Sequence, residues 1–540
     1  MDFAFGTLST DELKLYHHCL LCQGVRHGHE IAPRQPAAYQ PITLFATTGV
    51  DVTADSMACV FTTDGTEPVG QRGVAQNGEV VPFTPVGVQW DNFAWGYVQR
   101  WTAVLPGFAQ GTRLRYRLSA WSDDGAEIFA DYPDLKLSAE NAADRHFNLN
   151  LPPDTAVRWG EPQPGTVFAL VIGQPGAPDW AREAIIYHLM VDRFYPGDGR
   201  AWRQTADLHG FCGGTLSGVR DKLDYLAGLG VSCIWLSPIW ASPSSHGYDT
   251  SDYRRVQPQY GDTAVLRRLV DAAHERGLRV VLDMACNHLS DQHPIFQQAL
   301  ADSASPYRSW FTFDDSAVGY RGFFGVAAMP EIKLTQPDAR DWMVENALYW
   351  LREADIDGYR LDYANGPRPD FWSYLVTAGK QEKADTFYFG EIIDTPDMLQ
   401  AYAGRLDGAL DFHVNHALRQ TYGWQTWSEA DFDRFLARHQ QYLPADFVLP
   451  AFIDNHDMDR FGFIAGNRQP AQLAALAKLL QLPNPPVIYY GTEVGVGQSM
   501  GTREGTLVVS RAPMRWGDEQ DRDLLEQTRA LIFARAERRD

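Results

Sequence analysis

Two hydrophobic rhythms divide the chain. Up to about Gly176 the apolar residues fall in short alternating or β-rich runs, among them ITLFAT (42–47), MACVFTT (57–63) and RLRYRLSAW (113–121). Turn chemistry such as TDGTEP and SDDGAE separates them. A period of two puts one face of a strand against a core and the other toward water, so residues 1–176 read as an all-β sandwich domain. The Pro- and Gly-rich stretch PPDTAVRWGEPQPGTVFALVIGQPGAPDW (152–180) reads as the boundary. Trp90, Trp95 and Trp101 read as sandwich core.

From 177 onward the rhythm changes to continuous apolar runs separated by amphipathic stretches. The runs are AIIYHLMVDRF, VSCIWLSPIW, LRVVLDMACNH, DGYRLDYA, TFYFGEI, GALDFHV, FVLPAFIDNHD and PPVIYYGTEV. Helix candidates such as TAVLRRLVDAAHERG and DARDWMVENALYWLREA lie between them. Strands that are apolar on both faces and alternate with helices imply parallel βα units. Eight of them predict a closed (β/α)8 TIM barrel over 177–540, with functional groups at the C-terminal strand ends. The segment 289–334, after the third strand, is too long for an ordinary βα loop and reads as a small lid subdomain. RDLLEQTRALIFARAERRD reads as the eighth helix, with no β-domain after it.

Composition narrows the partners. A hydrophobic fraction of 45% with 21% charged residues is that of a globular protein, and a formal charge of −21 repels nucleic acid and anionic membrane. No apolar run approaches the roughly 18–20 residues of a membrane span, and MDFAFGTLSTDELKLYHH has no basic and apolar leader pattern. Six cysteines in 540 residues do not make a disulfide framework, so a soluble, cytoplasmic protein is expected. Cys19 and Cys22 stand near His17, His18, His27 and His29. A lone CxxC lacks the second ligand pair of a zinc site, so KLYHHCLLC reads as a strand with apolar cysteine packing.

Polar residues collect where the barrel strands end: Asp283, Asn287 and His288; Arg360 and Asp362; Glu391; His456 and Asp457. Strand starts read as apolar. Carboxylates converging on one barrel face suit glycosidic bond cleavage, in which one attacks the anomeric carbon and another protonates the leaving oxygen. Arg360, two residues from Asp362 and so on the same strand face, is expected to keep that carboxylate ionised as a nucleophile. Glu391 follows apolar FYFG and stands among like charges, which favours a general acid.

These stretches resemble the α-amylase superfamily of glycoside hydrolases over roughly 179–540. DMACNH (283–288), GYRLDYAN (358–365), GEI (390–392) and FIDNHD (452–457) are similar to its four short motifs in order and spacing. The resemblance implies Asp362 as nucleophile, Glu391 as acid/base and Asp457 as transition-state stabiliser. It implies Tyr248, His288, Arg360 and His456 as substrate-binding residues, with Asp249, Asp283, Asn287 and Asn365 supporting them. RLDYAN, MPEIKL and DRFYPGDG resemble the neopullulanase, cyclomaltodextrinase and maltogenic amylase group. The implied activity is retaining hydrolysis of α-1,4-linked gluco-oligosaccharides, cyclodextrins or pullulan-type glucans, with transglycosylation. The alternatives are an α-1,6-glucosidase, a glucosyltransferase or isomerase, and a non-catalytic carbohydrate-binding relative. No cofactor is required on this reading, Asp198 is the candidate calcium ligand, and a homodimer remains open. Tyr363, Glu331 and Lys333 depart from the group's usual residues.

Overall fold

The computed structural model describes residues 11–131, 165–203, 208–316 and 318–538. The chain forms two compact units, one of Phe3–Pro175 with Asp394–Arg405, the other of Gly176–Ile393 with Leu406–Asp540.

The first unit is built on two antiparallel sheets. Strand Ile42–Thr48 pairs with Gly96–Leu105, which pairs in turn with the edge strand Thr84–Asp91. In the second sheet Arg113–Trp121 pairs with Ser56–Thr62, and Ser56–Thr62 with Glu79–Pro82. Residues of Ile42–Thr48 alternate between buried and half-buried, and their inward side chains meet Cys59, Phe61, Leu114 and Leu118 in one apolar core.

Three sequence readings change here. KLYHHCLLC belongs to a helix, Asp11–Leu21, not a strand. The helix sequence holds four leucines and no β-branched residue, a composition that favours helix. The first part of the presumed linker lies outside the described residues. Phe168–Val171 within it is a fully buried strand paired with Arg113–Trp121, because FALV is apolar enough to join the core. Of the three tryptophans only Trp101 is core, its Nε1 donating to Thr48 Oγ1 at 3.1 Å. Trp90, on the edge strand Thr84–Asp91, and Trp95, in the turn that follows it, are 41% and 77% exposed.

In the second unit eight parallel strands run in sequence: β1 (Ile186–Leu189), β2 (Cys233–Leu236), β3 (Arg279–Ala285), β4 (Gly358–Asp362), β5 (Phe387–Gly390), β6 (Gly408–Ala409), β7 (Ala451–Phe452) and β8 (Pro486–Tyr489). β8 pairs with both β1 and β7. The ring closes through a parallel bridge, Gly408 to Val448, with Ala409 N–H donating to Val448 O at 3.0 Å and Asp411 N–H to Pro450 O at 2.9 Å. The fold is a (β/α)8 barrel. β4 and β5 approach so closely at Gly358 (φ 138°) that a Cβ there would lie 2.0 Å from Phe387 O.

Strand starts are not uniformly apolar. Asp357, one residue before β4, is buried between His274 Nε2 at 2.7 Å, Arg279 Nη1 at 3.0 Å and Lys383 Nζ at 3.1 Å. Burial pushes this carboxyl up, but the His274 hydrogen bond and Lys383 outweigh it and hold it below its ordinary range. A charge at the N-terminal face of the barrel is thus fully paired and serves stability.

Candidate active site

The parallel register assembles the first half of the site. Asp283 on β3 stands beside Arg360 on β4, and Leu361 beside Gly390 on β5, which places Asp362 next to Glu391. Arg360 is fully buried and its guanidinium reaches three carboxylates: Nη1 lies 2.7 Å from Asp283 Oδ1 and 2.9 Å from Asp362 Oδ1, and Nη2 lies 2.7 Å from Glu391 Oε2. Asp283 Oδ2 also accepts from Trp235 Nε1 and Tyr248 Oη, both at 3.0 Å. A planar cation with several donors can serve this many anions at once, whereas an ammonium cannot do so in fixed geometry.

The second half follows β7. His456 Nε2 lies 2.6 Å from Tyr248 Oη and 2.9 Å from Asp457 Oδ2, and its ring stacks on Tyr248 at 5.4 Å between centroids. Arg511 donates through Nη2 to Asp457 Oδ1 at 2.7 Å and through Nε to His456 O at 2.8 Å. Tyr248 therefore joins the two halves, touching Asp283 on one side and His456 on the other.

Protonation separates the carboxyls in a way the sequence reading did not anticipate. Burial, reinforced by neighbouring carboxylates and opposed by Arg360, pushes both Asp362 and Glu391 up to about 7. The same cause thus acts on both carboxyls, where the sequence reading expected an ionised Asp362 and a protonated Glu391. Burial also pushes Asp457 up, but His456 and Arg511 overcome it and hold that carboxyl far below its usual range. Burial pushes His456 down to about 4, against the Asp457 carboxylate beside it.

The insertion after β3 brings aromatic rings to this group. Phe323 stacks on His288 at 4.4 Å and meets Tyr363 edge-on at 4.9 Å; Phe324 meets Tyr363 at 5.5 Å. Tyr363 has a positive φ (39°), an unfavourable state for a bulky residue, and its N–H donates to Glu391 Oε2 at 3.1 Å. The departure at 363 thus packs a ring against the insertion.

The remaining sequence candidates spread around the site. Asn287 and His288 are buried just past β3, and Asn365 is half-buried in the turn after β4. Asp249 ties its own loop, accepting from Ser242 Oγ at 2.6 Å and from Ser244 Oγ. Glu331 pairs with Arg321 at 2.5 Å within the insertion. Asp198 has its N–H 3.4 Å from Asp221 Oδ2, and no third carboxylate, imidazole or thiol joins them among the described residues. Sequence reasoning missed Arg511, Trp235, Phe323 and Phe324. Trp235 is one apolar letter in a strand, and Arg511 follows an irregular turn, so neither carried a periodic signal.

A family profile described as "Alpha amylase, catalytic domain" matches residues 188–530. Among curated proteins the chain is 39% identical to "Alpha-amylase 2" of Dictyoglomus thermophilum over 363 residues, 66% of this chain and 64% of the relative. It is 34% identical to "Neopullulanase 2" of Thermoactinomyces vulgaris over 380 residues, 66% of this chain and 63% of the relative. The match thus spans less than two thirds of these relatives' own length. Among solved structures the cyclic alpha-maltosyl-(1→6)-maltose hydrolase of Arthrobacter globiformis is similar, with a TM-score of 0.62 and 26% identity, over 67% of this chain and 84% of that one.

The raised Glu391 predicts a pH-dependent stability change. A carboxyl whose folded pKa exceeds its unfolded value costs nothing below the unfolded value and destabilises as pH climbs through the folded one. Glu391→Gln, which mimics the neutral acid, should raise the thermal midpoint at about pH 8 and raise it much less at about pH 5. Scanning calorimetry at the two pH values checks this, and an equal change at both contradicts it.

Proposed function

The chain belongs to the alpha-amylase family, and from that membership we propose that it is a retaining glycoside hydrolase. Its substrates on this reading are α-1,4-linked gluco-oligosaccharides, cyclodextrins or pullulan-type glucans, with transfer to a sugar hydroxyl as a second outcome. The observation that carries the mechanism is the single guanidinium bridging Asp362 and Glu391 at 2.9 and 2.7 Å. Two carboxyls on one planar group are close neighbours, the arrangement that suits double displacement rather than a water held between distant carboxyls.

In this mechanism the Asp362 carboxylate attacks the anomeric carbon as the glycosidic C–O bond breaks, and Glu391 gives its proton to the departing oxygen. Glu391, now ionised, takes a proton from water or an acceptor hydroxyl, which attacks the glycosyl ester and releases Asp362. Asp457, kept anionic by Arg511 and His456, is placed to accept sugar hydroxyls and oppose the positive charge that develops on the ring. Tyr248, His288, Arg360 and His456 line the donor sugar's position. Nucleophile, acid/base and charge stabiliser are all side chains, so the proposal needs no cofactor. The cytoplasmic setting in this proposal is supported by the likeness to an intracellular maltogenic amylase of Bacillus subtilis, 32% identical over 66% of this chain. No helix among the described residues is long and apolar enough to cross a membrane.

A second reading, cleavage of α-1,6 bonds, draws support from the likeness to the cyclic alpha-maltosyl-(1→6)-maltose hydrolase. Product analysis on cyclodextrin, pullulan, starch, maltotriose and isomaltose separates the two: hydrolysis of isomaltose with little attack on maltotriose favours the second.

Asp362→Asn should lower turnover by at least about 10⁴-fold with the fold intact by circular dichroism; surviving hydrolysis removes Asp362 from the nucleophile role. Glu391→Gln should cost roughly 10²–10⁴-fold on natural glucans and far less on aryl glycosides with good leaving groups. The pH profile of kcat/KM should be bell-shaped, with limbs on either side of about 7. Its alkaline limb, which reports loss of the acid's proton, should disappear for aryl glycosides in Glu391→Gln. Tyr363→Ala and Phe324→Ala should each alter the ranking of substrates by kcat/KM; unchanged rankings would exclude the aromatic group from substrate selection.

A further inference from the structure

Outside the barrel, the cysteine pair near the N-terminus gains a partner that its own sequence neighbourhood lacks. His27 and His29 are not that partner. His27 is buried in the sandwich core, with Nδ1 2.6 Å from Phe45 O and Nε2 2.8 Å from Tyr116 Oη, and His29 is buried beside it. His18 and Cys22, one helical turn apart, face the other way, toward the end of strand Thr84–Asp91. There His18 Nε2 lies 2.7 Å from Asp91 Oδ2 and 3.7 Å from Cys22 Sγ, and the three donor atoms fall within 4.8 Å of one another. No other trio of histidine, cysteine or acidic side chains gathers this closely among the described residues.

The carboxylate is oriented before any ion arrives. Asp91 Oδ1 accepts from the N–H of Phe93 at 2.9 Å and of Ala94 at 2.7 Å, which leaves Oδ2 aimed at His18. Fixing a ligand through its outer contacts is what metal sites require. All three side chains are half-buried, dry enough to strengthen coordination and open enough for an ion to enter. A nitrogen, a thiolate sulfur and a carboxylate oxygen together form a borderline-soft donor set, which suits zinc better than magnesium or calcium.

We propose that His18, Cys22 and Asp91 form a zinc site in the first unit, with water in the fourth tetrahedral position. Binding makes Zn–N, Zn–S and Zn–O bonds and releases to solvent the proton of the Cys22 thiol, while the neutral imidazole of His18 offers Nε2 and carries its proton on Nδ1. The ion then joins the N-terminal helix to a strand end 73 residues away in the chain. It stabilises the folded unit in proportion to how tightly it is held. This proposal does not depend on the catalytic reading of the barrel.

The test uses the full chain, dialysed against a chelator and titrated with Zn²⁺ in competition with a chromophoric chelator. One equivalent should bind, with a rise in the thermal midpoint, and Co²⁺ in its place should give a thiolate-to-metal charge-transfer band. Cys22→Ser should abolish that band. Asp91→Asn keeps a side-chain oxygen for Phe93 and Ala94, so the turn survives, yet it should weaken Zn²⁺ binding by more than about tenfold. Circular dichroism confirms that each variant is folded, and His18→Gln replaces any variant that is not. No stoichiometric binding to the unaltered chain, or binding that a folded variant leaves unchanged, overturns the assignment.

Discussion

Arg360 sits on the inner face of the barrel with no exposed surface, and a cation is stable there only because Asp283, Asp362 and Glu391 all face it at 2.7–2.9 Å. The dependence runs both ways, since three buried carboxyls without that guanidinium would be driven to protonate. The register of β3, β4 and β5 brings the four groups to one level, so the alignment of three strands and the chemistry of the cleft are a single constraint. Around it a second balance of opposite sense is built from Asp457, His456 and Arg511. Burial wins at Asp362 and Glu391, whereas local charge wins at Asp457. One cleft thereby holds a carboxyl pair poised near neutrality and a third carboxyl that remains anionic.

Much of the barrel was legible because a strand buried on both faces leaves a run of apolar letters that no surface element imitates. All eight runs became strands of one parallel sheet. Asp283, Arg360, Asp362, Glu391, His456 and Asp457 stood out because charge at the end of such a run is expensive and therefore noticeable. What stayed hidden depends on neighbours in space. Arg511 follows an irregular turn, and only its distance to Asp457 reveals it. Asp357 looks like a loop residue until His274, Arg279 and Lys383 close around it. Trp90 lies on an edge strand and Trp95 in the turn after it, whereas Trp101 faces the core from the neighbouring strand. Asp91, far from Cys22 in the chain, had no reason to be considered with it.

Tyr363 shows how one backbone angle links scaffold and chemistry. The turn after β4 presents an N–H to Glu391 and continues through a positive-φ residue that is not glycine. The strain is retained because the ring is held by Phe323 and Phe324 from the insertion. The insertion's packing and the environment of Glu391 are consequently coupled, although they lie on different segments of the chain.

The first unit carries a further implication in its discontinuity. Its buried Arg405 donates to Ala169 O at 3.1 Å and comes from the piece of chain, Asp394–Arg405, that follows β5. During synthesis the sandwich residues emerge first, yet that contact cannot form until residue 405 of 540 has been made. By then the first five barrel strands have already been synthesised. Completion of the N-terminal unit is therefore a late event in the life of the nascent chain, and a fragment cut at residue 175 would lack part of its own interior.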